Sequence, residues 1–296
     1  MGIVLGANQY GKAEVRMVHV DKSTPTHVIT DLNVTTQLRG DLAAAHLVGD
    51  NSAVLPTDTQ KNTVYAFARQ YGVGTPEDFA LLLGRHFVNS VPEITGARIA
   101  IDAYSWDRIT VGGVEQPTSF VRGSGERRTT IVQLDGDDFW VVSGLSDLVV
   151  LKTDGSEFVG FPKDQYTTLP EETERILATS VTARWRYSDE AAYSEIYAPI
   201  RKTLIETFST TYSKALQQTL YAMGSAVLEQ FSEVAEIRLS MPNKHHYVWN
   251  MEPYGLDNPY IVFQAGDRPY GLIEAVVSKD DAPPAGRAWD GVPGFV

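Results

Sequence analysis

Twice along this sequence the spacing of apolar residues switches from alternation to a helical stripe and back again, and that double switch limits the folds open to it. In residues 13–20, Ala13, Val15 and Met17 share one face and Glu14 and Arg16 the other, the pattern of a half-buried strand. A second strand is expected over His27 to Gln37, and a helix over Asp58 to Arg69. Thr75-Pro76-Glu77-Asp78 then reads as an N-cap, a proline at the first helical position and an acidic first turn. It opens a helix whose stripe is Phe79, Leu82, Leu83, His86 and Phe87. Strand alternation returns at Ala97, Ile99 and Ile101, and further strands are expected over Trp106 to Thr110 and Arg128 to Leu134. The order then repeats. Strands over Phe139 to Lys152 and Ala183 to Tyr187 precede a helix striped by Tyr193, Ile196, Tyr197, Ile200, Leu204 and Phe208. A second helix carries Leu216, Leu220, Met223, Val227 and Phe231, and a strand follows at Ile237, Leu239 and Met241. The turn-rich Asp135-Gly136-Asp137-Asp138 is the natural seam, giving domains over 1–136 and 137–296. The halves share little residue identity, so the repeat is one of pattern within an α+β chain.

With 296 residues, 43% of them hydrophobic, the chain is long enough for one large domain or two ordinary ones. A formal charge of -12 argues against a nucleic-acid backbone as partner. A small anion remains open as a ligand, because it responds to the few donors lining its own pocket. There is no cysteine, which removes disulfides, thiolate ligands and cysteine nucleophiles and fits a reducing cytoplasm. No stretch approaches the ~20 apolar residues of a membrane span, and the opening MGIVLGANQYGK is not expected to act as a secretion signal. The terminal Val292-Pro-Gly-Phe-Val296 is not a peroxisomal address.

Several local motifs carry competing readings. Gly6 to Lys12 spells G-x-x-x-x-G-K, yet it lacks the following Ser or Thr, and a strand rather than a helix comes next, so triphosphate binding is rejected. Lys12 by itself reads as a solvated lysine. His245 and His246 point to opposite faces of an extended chain and cannot easily chelate one metal, and no H-x-x-x-H or H-E-x-x-H spacing exists. One of them can still move protons beside Asn243 and Lys244. Thr57 or Asp58 reads as a helix N-cap, although exposed amides at such a helix also suit an electron-rich ligand. Arg175, near Glu171, Glu172 and Glu174, reads as a surface ion pair. Gln217 and Gln218 read as solvated amides, and Phe158 as core. No G-x-S-x-G and no G-x-G-x-x-G after a strand is present, so serine-hydrolase chemistry and a dinucleotide cofactor are not expected.

Segments spread over nearly the whole chain resemble urate oxidases of the bacterial type. They are Asn8 to Arg16, Asp31 to Val34, Thr57 to Tyr65, Gly155 to Phe158, Tyr166 to Leu169, Arg175 to Thr179, Gln217 to Thr219, Pro242 to His246 and Arg268 to Gly271. They stand in the family's order, and the stretch from Gly112 to Arg127 looks least like the family and is expected to be a variable hairpin or loop.

The resemblance implies two tandem tunnelling-fold domains, each an antiparallel four-stranded sheet backed by two helices, assembled as a homotetrameric barrel. It implies oxidation of urate by O2 without metal or other cofactor. Carried over residue by residue, Arg175 and Gln217 grip the purine edge, Phe158 stacks on the ring, and Leu169 and Leu216 line the pocket. Asn243 holds oxygen or the attacking water, while Lys12, Thr57 and His245 form a proton relay. Asp58 cradles the far edge, and Thr57 and Asp58 come from a neighbouring subunit. Gln217 is chosen over Gln218 because it stands two before Thr219. The competing readings are another tunnelling-fold purine or pterin enzyme, whose usual glutamate anchor and zinc ligands have no counterpart set here, and a purine-binding tetramer without turnover.

Overall fold

The computed structural model describes residues 2–292, so the reading of the C-terminal address falls, beyond Val292, outside them. The chain divides into two compact units. The first is Met1–Leu145 with Asp189–Ser194 and Pro284–Gly291; the second is built on Ser146–Ser188 and Glu195–Pro283. The seam at Asp135–Asp138 is the tight turn before the strand in which this division falls.

In the first unit the elements are β1 (Tyr10–Asp21), β2 (Val28–Gly40), a short α1 (Ala43–Leu47), α2 (Thr57–Tyr71), α3 (Pro76–Ser90), β3 (Ile94–Val111) and β4 (Val114–Asp135). The strands pair antiparallel in the order β1-β2-β3-β4. Val34, Leu38, Ile99 and Val132 from the sheet and Phe79, Leu83 and Phe87 from α3 are buried against one another. Each such side chain contributes roughly 1.5–3 kcal/mol of burial. Gly84 allows the close approach of α3 to the sheet, since a Cβ there would fall 2.3 Å from Leu134 Cδ1.

β5 (Asp138–Lys152) leads into the second unit, where β6 (Leu177–Tyr187), α4 (Tyr193–Thr210), α5 (Leu216–Gln230), β7 (Val234–Pro242), β8 (His246–Val248), β9 (Phe263–Ala265) and β10 (Leu272–Ser278) follow. Here the order is β5-β6-β7-β10, with β7 antiparallel to both β6 and β10. Trp185, Ile200, Leu204, Met223, Val227, Ile237 and Leu239 form the core. Gly224 does for α5 what Gly84 does for α3: its Cβ would meet Val277 Cγ2 at 2.7 Å. Both units therefore lay a pair of helices on a four-stranded sheet, the tunnelling-fold arrangement. Among the described residues no helix is long and apolar enough to cross a membrane.

Several local expectations change. Ala13 is exposed rather than aligned with Val15 and Met17, because the β1–β2 register slips between Lys12 and Val15. The extra residue is a bulge, with Glu14 at φ 56. The helix at Thr57 has Pro56 as its N-cap and no side-chain capping bond, so neither Thr57 nor Asp58 caps it. The strands expected around Ile99 and Trp106 are one strand, β3. It turns through Gly112 and Gly113, both at positive φ, directly into β4, so the stretch least like the family is a long hairpin. Thr75 does cap α3, accepting from the Asp78 N–H at 3.1 Å.

Candidate active site

The second unit holds a cavity of about 200 Å³ lined by Phe158, Leu169, Glu172, Arg175, Leu216, Gln217, Asn243, His245 and Tyr247, among others. Its walls come from five places in the chain: Phe158, the stretch from Leu169 to Ile176, the start of α5, the residues after β7, and Ile273.

Arg175 sits just before β6. Its backbone N–H donates to Ser156 O at 3.0 Å and its Nε to Ser156 Oγ at 3.2 Å. The guanidinium carbon lies 5.3 Å from the centre of the Phe158 ring, within cation–π range. Burial lowers the Arg175 pKa, and the carboxylate of Glu172 partly offsets that. The group stays charged, since an arginine is not deprotonated at ordinary pH. The cavity walls combine this half-buried cation and the Glu172 carboxylate with the apolar Phe158, Leu169 and Leu216. The ion-pair reading of Arg175 thus gives way to a cavity position, while neighbouring Glu171 pairs with Lys163 at 3.3 Å.

Phe158 is not simply core. Its backbone exchanges two hydrogen bonds with Glu172, N–H to O at 2.7 Å and the reverse at 3.1 Å, and its ring stacks on Phe161 at 4.9 Å. Leu216 and Gln217 are the first two residues of α5, whose N-cap Ala215 offers no side-chain capping bond. The adjacent glutamines separate in use: Gln217 lines the cavity, whereas Gln218 turns back and accepts from the Lys214 N–H at 2.9 Å.

Asn243 and His245 follow β7. The Asn243 N–H donates to Gly271 O at 2.8 Å, and a bridge to Thr179 ties the same residue to β6. The His245 ring stacks on Tyr247 at 5.7 Å. Desolvation, then the positive field of Arg175, lowers the His245 pKa, with Glu172 opposing and His246 adding to the fall. His245 is therefore neutral near pH 7 and able to accept a proton. His246 also reaches the cavity, with Nδ1 2.9 Å from Lys244 O.

Lys12, Thr57 and Asp58 lie in the first unit, where they form a group of their own. Lys12 is half-buried at the β1 bulge; its N–H donates to Thr36 Oγ1 at 3.4 Å, and Thr36 donates to Gln60 Oε1 at 2.7 Å in the first turn of α2. Thr57 is the first residue of that helix. Asp58 is exposed, and Lys61 holds its carboxyl below the usual range, first by a hydrogen bond and then by charge. Asn62 and the more distant Lys12 add to this.

Sequence reasoning missed Glu172, Tyr247 and the buried Ser156, and spacing alone left open which of His245 and His246 moves protons; both reach the cavity. An acidic run such as Glu171-Glu172 gives no periodic signal of which member turns inward, and Ser156 is a partner only through tertiary contact. Among the described residues no group of three or more His, Asp and Glu side chains is placed to hold a metal.

Known proteins sharpen this picture. The family model described as Uricase matches residues 8–133 and 141–274. A uricase from Arthrobacter globiformis is 51% identical over 294 residues, covering 99% of this chain and 96% of its own. One from Schizosaccharomyces pombe is 37% identical over 91% of this chain and 96% of its own. The crystal structure of the Arthrobacter globiformis uricase superposes with a TM-score of 0.94, covering 98% of this chain and 99% of that one.

Proposed function

The chain belongs to the uricase family and is an oxidoreductase acting on urate; from that premise we propose how its residues divide the work. Urate, dioxygen and water become 5-hydroxyisourate and hydrogen peroxide. Two electrons leave the purine, dioxygen takes them up with two protons, and water supplies the new hydroxyl oxygen. The observation that carries the reading is the cavity itself: a half-desolvated Arg175, an aromatic face at Phe158, the amide of Gln217 and a neutral His245 share one set of walls.

Arg175 and Gln217 hold the edge of the urate anion. Charge-assisted bonds of this kind contribute roughly 1.5–3 kcal/mol each. Phe158 stacks on the ring, and Leu169 and Leu216 close the apolar sides. Asn243, fixed through its backbone at Gly271, presents its amide to dioxygen or the attacking water. Removing a further proton makes urate reducing enough to pass electrons to dioxygen directly, without a cofactor between them. The protein's share is then positioning, proton transfer and electrostatics.

His245, Thr57 and Lys12 form the proton relay, and Asp58 cradles the far edge of the substrate. The two groups of residues meet when the Lys12–Thr57–Asp58 group of one subunit faces the Arg175 cavity of a partner, in a cytoplasmic homotetramer that degrades purines. Support comes from α2 beginning without a side-chain cap and from Lys12 standing at a bulge, a device that re-aims side chains beside sites.

The test is direct: urate is mixed with the protein in air, and loss of its ultraviolet band is followed together with peroxide. Binding without peroxide would favour a purine-binding tetramer, and turnover that a chelator abolishes would favour a metal enzyme. A mixture of Thr57→Ala subunits with Arg175→Ala subunits recovers part of the activity that each lacks alone. No recovery in mixed tetramers would show that each subunit is self-contained.

A further inference from the structure

Arg175 and Gln217 stand far apart in sequence, and what holds them in one frame is a set of buried hydroxyl groups. Ser156 is 1% exposed, and Ser213 and Thr219 are fully buried. Ser156 takes the Nε of Arg175 and also the backbone N–H of that residue. The segment carrying Ser156 pairs with the one carrying Ser213: Glu157 N–H donates to Ser213 O at 2.8 Å, and Ser213 N–H to Gly155 O at 2.9 Å. From Ser213 the link continues into α5. Thr219 Oγ1 donates to Ser213 Oγ at 2.8 Å, and Ser213 Oγ donates to Ala215 O at 3.1 Å, at the N-cap immediately before Leu216 and Gln217. Phe158 lies two residues beyond Ser156 on the same segment.

A guanidinium is a planar fork, so fixing Nε fixes the plane in which its terminal nitrogens point. These three hydroxyls are spent on one junction, and all three are buried. We propose that Ser156 is a positioning residue for urate oxidation, and that Ser213 and Thr219 extend its hold to the N-terminus of α5. Together they set the angle and spacing between the Arg175 fork and the Gln217 amide, and so the preference for a rigid planar anion over a flexible one of equal charge. Ser156 acts through Arg175 and touches no substrate. This rests on the clamp assigned to Arg175 and Gln217 above.

The experiment measures the affinity of the intact protein for an unreactive urate analogue by calorimetry, with kcat and KM for urate and the thermal midpoint alongside. Ser156→Ala, nearly isosteric, weakens analogue binding and raises KM by about tenfold, the scale of one misplaced charge-assisted bond. Neither kcat nor the thermal midpoint changes by a comparable factor. Thr219→Val keeps the shape of the side chain, loses the hydroxyl and shifts KM in the same direction, and Thr219→Ser restores it. In an Arg175→Ala background, Ser156→Ala has no further effect on analogue affinity. Unchanged affinity in Ser156→Ala while Arg175→Ala binds poorly overturns the positioning role and leaves the clamp standing. An Arg175→Ala protein that still binds the analogue normally overturns the clamp, and this inference with it. Loss of affinity only in proportion to loss of folded protein, or an undiminished Ser156→Ala effect without Arg175, makes the hydroxyls ordinary packing and also overturns it.

Discussion

The last α-helix of each unit, α3 in the first and α5 in the second, differs from its first residues: Thr75 caps the one with its side chain, and Ala215 offers the other no such bond. α3 and α5 are both 15 residues long, with a sheet-facing glycine at matching places, Gly84 and Gly224. On that alignment Glu77 corresponds to Gln217, the second residue in each helix. Glu77 is fully buried and fully engaged: Arg128 Nη2 donates to it at 2.6 Å, Thr130 Oγ1 at 2.9 Å and Ser143 Oγ more closely still. Gln217 instead faces a cavity whose cation, Arg175, is held from the side by Ser156. The same position is filled from within in one unit and left open to a ligand in the other. A carboxylate satisfied by its own arginine has no use for an anion, whereas a neutral amide beside an arginine whose burial Glu172 offsets only in part suits the anionic ligand proposed above.

Removing the charge that seals the first unit has the largest expected effect. Glu77→Ala leaves Arg128 without its carboxylate beneath the sheet, and loss of a buried partner costs about 3–5 kcal/mol. Arg128 is 19% exposed, which places the outcome at the lower end of that range. Denaturant unfolding should show the drop, while analogue affinity per folded molecule stays unchanged. A variant of normal stability with weakened urate binding would break the contrast between a sealed and an open helix start. Next in size is the converse change, Gln217→Glu, which gives the open helix the residue of the closed one. A carboxylate facing an anionic purine costs several kcal/mol, so analogue affinity should fall by about a hundredfold or more. Calorimetry that finds affinity retained would show that Gln217 does not face the substrate.

How much of this was legible follows from what periodicity can carry. The stripes at Phe79, Leu83 and Phe87 and at Leu220, Met223 and Val227 are readable because burial on one helix face repeats along the chain, and all six are buried, whereas Leu82, read into the first stripe, is half-buried and His86 is exposed. The strand face containing Ala13 was not, because the bulge at Lys12 inserts a residue that no alternation reveals. Nor could spacing choose between Gln217 and Gln218: adjacent residues of one type differ only in where the helix start aims them, and Lys214 claims the second. Thr57 looked like a cap on composition, yet the chain enters α2 through Pro56. The resemblance supplied the residues of the cavity, but not Ser156 or Glu172, whose parts depend on contacts made only after folding.

A smaller effect concerns pH and belongs to the open unit, where the charge of Arg175 lowers the His245 pKa on top of burial, whereas that of His86 on α3 is lowered by burial alone. Below its folded pKa His245 is protonated and can no longer accept the substrate's proton, so activity falls as pH drops through that value. Because the value is lowered, the acid limb of kcat/KM lies beneath the ordinary histidine pKa of about 6.5. Burial is the first cause and the charge of Arg175 the second, so Arg175→Gln should carry the limb upward on whatever activity remains. His245→Asn should remove the limb altogether. A limb that stays in place in both variants would assign it to another group.

The finest test is of the correspondence between the two helices. Alanine at Gly84 would bring its Cβ to 2.3 Å from Leu134 Cδ1, but the next contacts are at 3.5 and 3.6 Å, and that methyl is the far end of a side chain with two free torsions. It can swing aside, and alanine recovers up to about 1 kcal/mol of helix propensity. At Gly224 the added Cβ would meet Val277 at Cγ2, 2.7 Å away, and at Cβ itself, 3.0 Å away. A β-branched residue has one stiff torsion, so the strand or the helix must move. Gly84→Ala should therefore alter stability by less than about 1 kcal/mol, and Gly224→Ala should cost about 1 kcal/mol more. Because α5 carries Leu216 and Gln217, the second substitution should also raise KM for urate, and the first should not. If Gly84→Ala raised KM as much as Gly224→Ala, helix placement in the sealed unit would matter to catalysis as much as it does in the open one, and the division of labour drawn from Glu77 and Gln217 would fail.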